Sequence, residues 1–220
     1  MATKEVSVQI KAPKFEVVEL VLEGTAPLVV ARFSKKGELM AKMSEGSTAK
    51  SKKVREARDY DAEADQARYY NSDKSWQGVH AGAFRAASIS ACRLVGFKMT
   101  LAKLSIFILQ DDFDLEGKTP LVRVYGESET DTSHVRNATG VVDVRSRAMY
   151  KKWATKLRVR YDADQFTAQD VYNLIARVGV QVGICEGRPD SKSSAGCGWG
   201  TFRIVPDEEQ SAVKAQFGIA

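Results

Sequence analysis

Residues 152–161, KWATKLRVRY, alternate between two kinds of side chain. The period of two is that of a β-strand, in which successive side chains point to opposite faces of a sheet. One face is apolar and includes Trp153 and Tyr161, which we predict to point into a core. The other face is basic and carries Lys156, Arg158 and Arg160. We therefore expect a sheet that covers a core on one side and shows a stripe of cations on the other.

A helix follows this strand. Thr167 and Asp170 have the spacing of a T-x-x-D capping box, which satisfies free backbone N–H groups at a helix start. The apolar residues after it recur at i, i+3, i+4 and i+7, the spacing of one helix face, and Gly179 marks the end. These apolar residues are Val171, Leu174, Ile175 and Val178.

Other segments predict a further helix and several strands. Residues 82–95 are rich in alanine, with Phe84, Ala87, Ala91 and Leu94 at helical spacing before Gly96. The order strand, helix, strand, strand, helix, strand predicts an α+β fold of the ferredoxin-like, split βαβ type. The predicted strands are a central one at 15–22, one covered on both faces at 101–110, one at 121–125 before a polar loop through Asn137, and TFRIV at 201–205.

The stretch from residue 34 to residue 75 is polar and holds few large apolar side chains. Such a composition contributes little to a core, so we expect an inserted basic arm within a single domain spanning residues 1–220. Residues 49–70 favour helix by propensity, which predicts helical pieces in the arm.

Basic residues are concentrated in two stretches of a chain whose formal net charge is +5. Residues 32–58 hold nine basic and three acidic residues, and residues 136–160 hold eight and one. Each stretch taken alone is compatible with a solvated face, but two in one chain favour a polyanionic partner. The candidate contacts are Lys50, Lys52, Lys53, Arg55, Arg145, Arg147, Lys156, Arg158 and Arg160.

Cys92, Cys185 and Cys197 are odd in number and far apart. This pattern does not suit a disulfide framework and favours a reducing compartment, so we expect a cytoplasmic protein. The sequence shows no apolar run typical of a signal peptide or a membrane span. Without a C-x-x-C pair and with only two histidines, we expect no metal site and no cofactor.

The segment 185–200 is rich in glycine and includes Arg188, Lys192 and Trp199. Its backbone amides and cations suit phosphate binding, while a plain connector between two elements is the alternative. A Walker A loop is excluded because the G-K-[ST] ending is missing. Trp199 is the aromatic residue best placed to stack on a base.

Signals for catalysis are weak. His80, just before the predicted first helix, could act as a general base, but a surface histidine at a helix start is commoner and is the interpretation we favour. The acidic residues Asp111, Asp112, Asp114 and Glu116 could form a nuclease metal cluster, but a solvated turn accounts for them. We therefore predict a binding protein and not an enzyme.

A family resemblance follows from several short motifs: APL after the first strand, the helix introduced by GAFRAASISACR, and the loop GRPDSKSSAGCGWGTF. Together with the predicted βαββαβ order, they resemble the RAMP superfamily of CRISPR proteins, especially the backbone subunits that polymerise along guide RNA, and related phage proteins. The resemblance implies that Arg85 and Arg93 on the first helix bind nucleic acid, as do Gly187, Arg188 and Lys192. It also implies that the insertion reaches a neighbouring subunit.

The resulting hypothesis is a protein that binds single-stranded DNA or RNA with little sequence specificity and assembles head-to-tail along the strand. One alternative is a RAMP-type RNA-processing endoribonuclease with His80 or His134 as general base. A second is a structural oligomer whose basic patches meet an acidic protein partner.

Overall fold

The computed structural model describes residues 10–32, 59–136, 142–191 and 196–220. The fold is mixed α/β with antiparallel sheets. The strands are β1 Phe15–Gly24, β2 Leu28–Val30, β3 Tyr69–Tyr70, β4 Gln77–His80, β5 Ile106–Leu109, β6 Asp112–Phe113, β7 Pro120–Arg123, β8 Ser128–Arg136, β9 Val142–Tyr150, β10 Ala154–Asp162 and β11 Phe202–Ile204. The helices are α1 Tyr60–Gln66, α2 Ala81–Ala91, α3 Met99–Ser105, α4 Ala168–Arg177 and α5 Asp207–Phe217.

The main sheet has four antiparallel strands in the order β11-β1-β10-β5. β1 lies between β11 and β10, so the prediction of a central first strand is confirmed. Helix α2 precedes β5 in the chain, and α4 lies between β10 and β11. Because β1 and β10 pair in register, with Leu20 opposite Leu157 and Glu19 opposite Arg158, the residues that face the core lie side by side on one face, and the outward residues lie side by side on the other.

The inner face of this sheet packs against α2 and α4 and forms the main core. Trp153 and Tyr161 are buried there, as the alternation of residues 152–161 predicts. The rings of Trp153 and Phe84 each meet the ring of Phe202 edge-on, with centroids 6.1 and 5.9 Å apart. Such pairs add to the burial of apolar area that stabilises the domain.

The predicted capping box of α4 is present. The Thr167 side chain accepts a hydrogen bond from the Asp170 backbone N–H, and the Asp170 carboxylate accepts from the Thr167 backbone N–H. Val171, Leu174 and Ile175 are buried against the sheet. The chain then continues from Val178 to Val182 as one π-helical turn, so Gly179 does not end the helical segment.

The prediction of a strand over residues 101–110 is only half right. Residues 99–105 form α3, and β5 contains only Ile106–Leu109. β5 is also an edge strand, and the Leu101 and Leu104 side chains of α3 are exposed. A short apolar run has no period that separates helix from strand, and here the helix forms because Ala102 and Ser105 face the core.

Two smaller sheets complete the fold, in the orders β2-β9-β8 and β3-β4-β7-β6. The residues predicted as a polar loop through Asn137 include all of β8, which pairs with β9 along nine residue pairs. The prediction was wrong because SETDTSHVR holds a single apolar residue, Val135, and so lacks the polar–apolar alternation typical of a half-buried strand.

The described part of the inserted arm, residues 59–75, packs onto the domain. Asp59 caps α1 by accepting from the Ala62 backbone N–H, and α1 does form in the stretch predicted to be helical. Ala64 and Ala67 are buried, and Asn71 is only 2% exposed. The two alanines belong to the core, contrary to expectation, because small side chains allow close packing without a large apolar signal. Residues 34–58 of the arm lie outside the described part of the chain.

The outer face of the main sheet is divided into two halves. Helix α5, which the sequence reasoning did not anticipate, covers one half together with the residues after it: Val213 of the helix and Ile219 beyond its end pack on Val21, Ala154 and Val205. Arg203 secures its first turn by pairing with Glu209 at 2.6 Å and Glu23 at 2.6 Å. The part that no other described element covers is called here the open half, and it consists of Phe15, Val17, Glu19, Phe107, Leu109, Arg158 and Arg160.

Candidate functional site

Arg160 is the most accessible cation of the open half. Its Cζ atom lies 5.2 Å from the ring centroid of Phe15 and 5.0 Å from that of Phe107. The two rings contact each other edge-on, with centroids 5.8 Å apart, and Phe15 is 41% exposed. None of the described carboxylates is paired with Arg160. The guanidinium edges are therefore available to an anion beside an accessible aromatic surface.

The other two cations of β10 also point outward, so the predicted basic stripe is confirmed. Arg158 donates to the Gln110 carbonyl at 2.7 Å and pairs with Asp111 at 3.1 Å. Lys156 donates to the Ala220 carbonyl at 3.0 Å. Both contacts are exposed to solvent. An exposed ion pair such as Arg158–Asp111 contributes about 0–1 kcal/mol, and Lys156 makes only one hydrogen bond to a carbonyl, so a phosphate can compete for either cation.

Arg85 lies on α2 but reaches the edge of the same sheet. Its Nε donates to the Ile106 carbonyl at 3.0 Å, and its Cζ lies 5.2 Å from the Phe107 centroid. The guanidinium thus satisfies a carbonyl where α3 ends and β5 begins. Arg85 supports Phe107 and lies apart from the groove described next.

Arg93 and Arg188 line one groove of about 380 Å³ between α2 and the glycine-rich segment 185–200. Arg93 pairs with Asp190 at 2.8 Å, and Arg188 donates to the Cys185 carbonyl at 2.9 Å. The Ser90 hydroxyl, followed by Arg93, holds the pKa of Asp190 below its ordinary value. The fold therefore brings these two predicted cations together, with one carboxylate already between them.

Arg147 lies in a different setting, called here the junction, where the β8–β9 hairpin meets the glycine-rich segment. Its buried guanidinium pairs with Asp131 at 3.0 Å and Glu186 at 3.4 Å, and it also donates to the Ser133 hydroxyl. Its Cζ lies 5.6 Å from the Trp199 ring, and its Nε is buried without a hydrogen-bond partner. Arg147 thus holds two segments together and does not face solvent.

Trp199 is half-buried beside Arg147, and its ring also packs on Gly187. A Cβ atom at Gly187 would lie 2.5 Å from Cε3 of Trp199, so only glycine fits there. The free stacking surface predicted for Trp199 is thus partly occupied by its own domain.

The remaining predicted contact residues lie outside the sites described above. Arg145 is half-buried on β9. Lys50, Lys52, Lys53, Arg55 and Lys192 lie outside the described residues and stay predictions.

The residues considered for catalysis are dispersed. His80 is exposed at the start of α2, whereas His134 is exposed on β8 in another sheet. Asp114 is 2% exposed, accepts from the Thr119 backbone N–H at 3.1 Å and pairs with Arg32 at 3.3 Å. Asp114 is thus the buried centre of a tight turn, and not part of a solvated one.

The neighbouring carboxylates have separate partners. Asp111 pairs with Arg158, and Glu116 pairs with Arg32 at 2.8 Å. The Ser72 hydroxyl lowers the pKa of Asp112 to about 2. Within the described ranges, no group of three His, Cys, Asp or Glu side chains is arranged to hold a metal ion.

The cysteines differ in environment. Cys92 is buried, Cys197 is exposed, and Cys185 has a left-handed backbone with a φ of 61°. Burial of its sulfur raises the pKa of Cys185 to about 12.

Phe15 and Phe107 were missed as candidate site residues by the sequence reasoning. A signal existed for Phe15, because in FEVVELVL it alternates with the residues that enter the core. Phe107 had no such signal, since it lies within a continuous apolar run.

The sequence comparisons identify no relative: no family model matches the chain, and no curated protein matches it. Among the described residues, no helix combines the length and apolar character needed to cross a membrane.

Proposed function

We propose that this protein binds single-stranded nucleic acid across the open half of the main sheet, with little sequence specificity. The observation that carries the proposal is the outward row Lys156, Arg158 and Arg160 on β10, next to the accessible ring of Phe15. A strand presents phosphates and unpaired bases at once, and a cation row beside aromatic rings suits both. A stacked ring accepts any base, which is why we expect weak sequence preference.

We further propose that the main sheet and its two helices form a ferredoxin-like core of the RAMP type. In its favour, the elements β1, α2, β5, β10, α4 and β11 follow the βαββαβ order. Their strands lie in the order β11-β1-β10-β5, that is, fourth, first, third and second. This arrangement is what a split βαβ pattern requires.

The proposal includes head-to-tail assembly along the strand, because a long polymer offers adjacent sites to successive copies. An exposed apolar surface on α3 and the preceding turn is suited to such a contact. It consists of Leu94, Val95, Met99, Leu101 and Leu104. Replacing Leu104 by Lys should lower cooperativity on long oligonucleotides and leave binding of short ones unchanged.

Salt dependence of binding tests the central proposal. Fluorescence anisotropy with labelled deoxythymidine and uridine oligonucleotides should give a log–log slope of roughly −0.7 for each phosphate contact. Replacing Lys156, Arg158 and Arg160 together by Gln should flatten this slope. Arg177→Gln is the matched control, since Arg177 lies on α4, on the other side of the sheet. A wild-type protein without measurable binding, or a triple variant that binds like wild type, contradicts the proposal.

The arm contributes a second, independent part of the proposed contact. Charge reversal at Lys50, Lys52, Lys53 and Arg55 should weaken strand binding and leave the thermal transition unchanged.

We also propose that the strand is bound and not cleaved. Incubating labelled RNA or DNA with the protein and Mg²⁺ tests this, and histidine-dependent cleavage would favour the endoribonuclease alternative.

A further inference from the structure

A second cation held by aromatic rings lies beside the basic row. Arg123, at the end of β7, has its Cζ 4.5 Å from the ring centroid of Tyr125 and 5.9 Å from that of Trp76. Among the described residues, no side chain or carbonyl accepts a hydrogen bond from its guanidinium, and no carboxylate pairs with it. Ring contacts leave the N–H groups at the guanidinium edge free to bind an oxyanion.

Arg123 opens into a groove of about 530 Å³ between the β4–β7 sheet and the end of α5. The groove wall combines aromatic rings, from Trp76, Tyr125 and Phe217, with the polar side chains of Ser75 and Gln77. Its chemistry is thus a cation, ring faces and hydrogen-bonding groups within one open cleft. A nucleotide presents the complementary set of phosphate, base face and base edge.

The groove is continuous with the outer face of the main sheet. Tyr125 and Ala154 exchange both backbone hydrogen bonds of an antiparallel bridge, at 2.8 and 2.9 Å. In that register Arg123 lies opposite Lys156, and the Thr155 hydroxyl donates to the Arg123 carbonyl at 2.7 Å. Asp111 links the two regions as well, because it pairs with Arg158 and accepts from the Arg123 backbone N–H at 2.9 Å.

We propose that this groove takes one nucleotide of a bound single strand, with its phosphate on Arg123 and its base against Trp76. The inference rests on the proposed function and extends it by giving the strand a path, from the open half past Lys156 and onto β7. Glu127 lines the same groove and is exposed, so it opposes the phosphate. Its removal should therefore strengthen binding.

Photochemical cross-linking tests the position in the wild-type protein. Anisotropy first establishes whether an oligonucleotide of about 15 residues binds. If it does not, the proposed function fails, and with it this inference. A bound oligonucleotide carrying 5-iodouracil should then cross-link to Trp76 or Tyr125. Cross-links confined to Phe15, Phe107 or residues outside the groove overturn the inference and leave the proposed function standing.

Variants provide the second test with the same oligonucleotide. Trp76→Leu and Arg123→Met should each weaken binding by about tenfold, since one stacked base or one phosphate contact is lost. Glu127→Gln should strengthen it a few-fold, and Arg177→Met should leave it unchanged. Thermal denaturation identifies any variant that does not fold. If Trp76→Leu or Arg123→Met does not fold, the affinity of Glu127→Gln and the cross-linked positions test the inference instead. Wild-type affinity in folded Trp76→Leu and Arg123→Met variants overturns the inference.

Discussion

Arg147 at the junction and Arg160 on the open half are both arginines on strands with an aromatic ring within 6 Å. Arg147 is 4% exposed and pairs with Asp131 and Glu186, whereas Arg160 is exposed and has rings as its described partners. The same residue type therefore holds the fold together at one place and is available to a ligand at the other. The position of carboxylates, and not the density of basic residues, separates the two roles.

The largest effect that this comparison predicts is on stability. Arg147→Met should lower the free energy of unfolding by about 3 kcal/mol, because Asp131 and Glu186 lose the cation that compensates them. We expect the lower end of the range of about 3–5 kcal/mol for breaking a buried ion pair, because the Glu186 side chain is 38% exposed. Urea denaturation measures the change, and Arg160→Met, the matched control, should stay within about 0.5 kcal/mol of wild type.

If Arg147→Met and Arg160→Met lower the free energy of unfolding equally, the two arginines do not differ in their structural role. Adding Asp131→Asn and Glu186→Gln to Arg147→Met should restore part of the lost stability, because the uncompensated charges are then gone. Such a rescue would show that Arg147 stabilises the fold by neutralising these two carboxylates.

Cysteine alkylation should report on the same junction, because Cys185 precedes Glu186 in the chain. With its pKa raised to about 12 by burial, Cys185 stays a thiol at pH 8, and the thiolate is the reactive form. We expect iodoacetamide to modify the exposed Cys197 on the order of a hundredfold faster than Cys185. Mass spectrometry of digested protein measures both alkylation rates. The Arg147→Met variant should lower the ratio of the Cys197 rate to the Cys185 rate, because it loosens the junction that buries Cys185. Equal rates in wild type would show that the junction does not protect Cys185.

For strand binding we expect the opposite order of effects: Arg160→Met should have the larger effect and Arg147→Met the smaller one. Arg160→Met should weaken binding by about tenfold, or about 1.4 kcal/mol, through loss of one phosphate contact. Folded Arg147→Met should bind like wild type, since its cation is already neutralised within the protein. Anisotropy at a fixed salt concentration measures both variants. A larger loss for Arg147→Met than for Arg160→Met would remove the distinction between the two regions.

The smallest predicted effect concerns Asp190, whose partner Arg93 pairs with a carboxylate as Arg147 does but has a side chain that is 56% exposed. The Ser90 hydroxyl and Arg93 lower the pKa of Asp190 in the folded state, so its carboxylate form contributes stability above the unfolded pKa of about 3.9. That contribution is lost as the pH falls through the lower, folded pKa. Chemical denaturation between pH 5 and pH 2 should therefore show a slightly steeper loss for wild type than for Asp190→Asn. Identical profiles would mean that the Ser90–Arg93–Asp190 contacts are absent in solution.

Local patterns predicted several elements correctly. The alternation of residues 152–161 and the capping box of Thr167 and Asp170 depend on neighbours within one strand or one helical turn. The run 101–110 and the polar strand β8 were misread because their conformations depend on packing and pairing with distant segments. For the same reason α5 was not anticipated, since its cover over Val21 and Ala154 joins opposite ends of the chain.

The sequence by itself determined the two-faced character of β10, the start of α4 and the outward direction of Lys156, Arg158 and Arg160. These are properties of backbone geometry, which repeats over a few residues. Only the tertiary structure decided which cations remain accessible. Arg147 meets Glu186 39 positions away in sequence, whereas Arg160 meets Phe15 and Phe107 across two strand pairings. Neutralisation of a charge depends on distances in space, and the fold alone sets those distances.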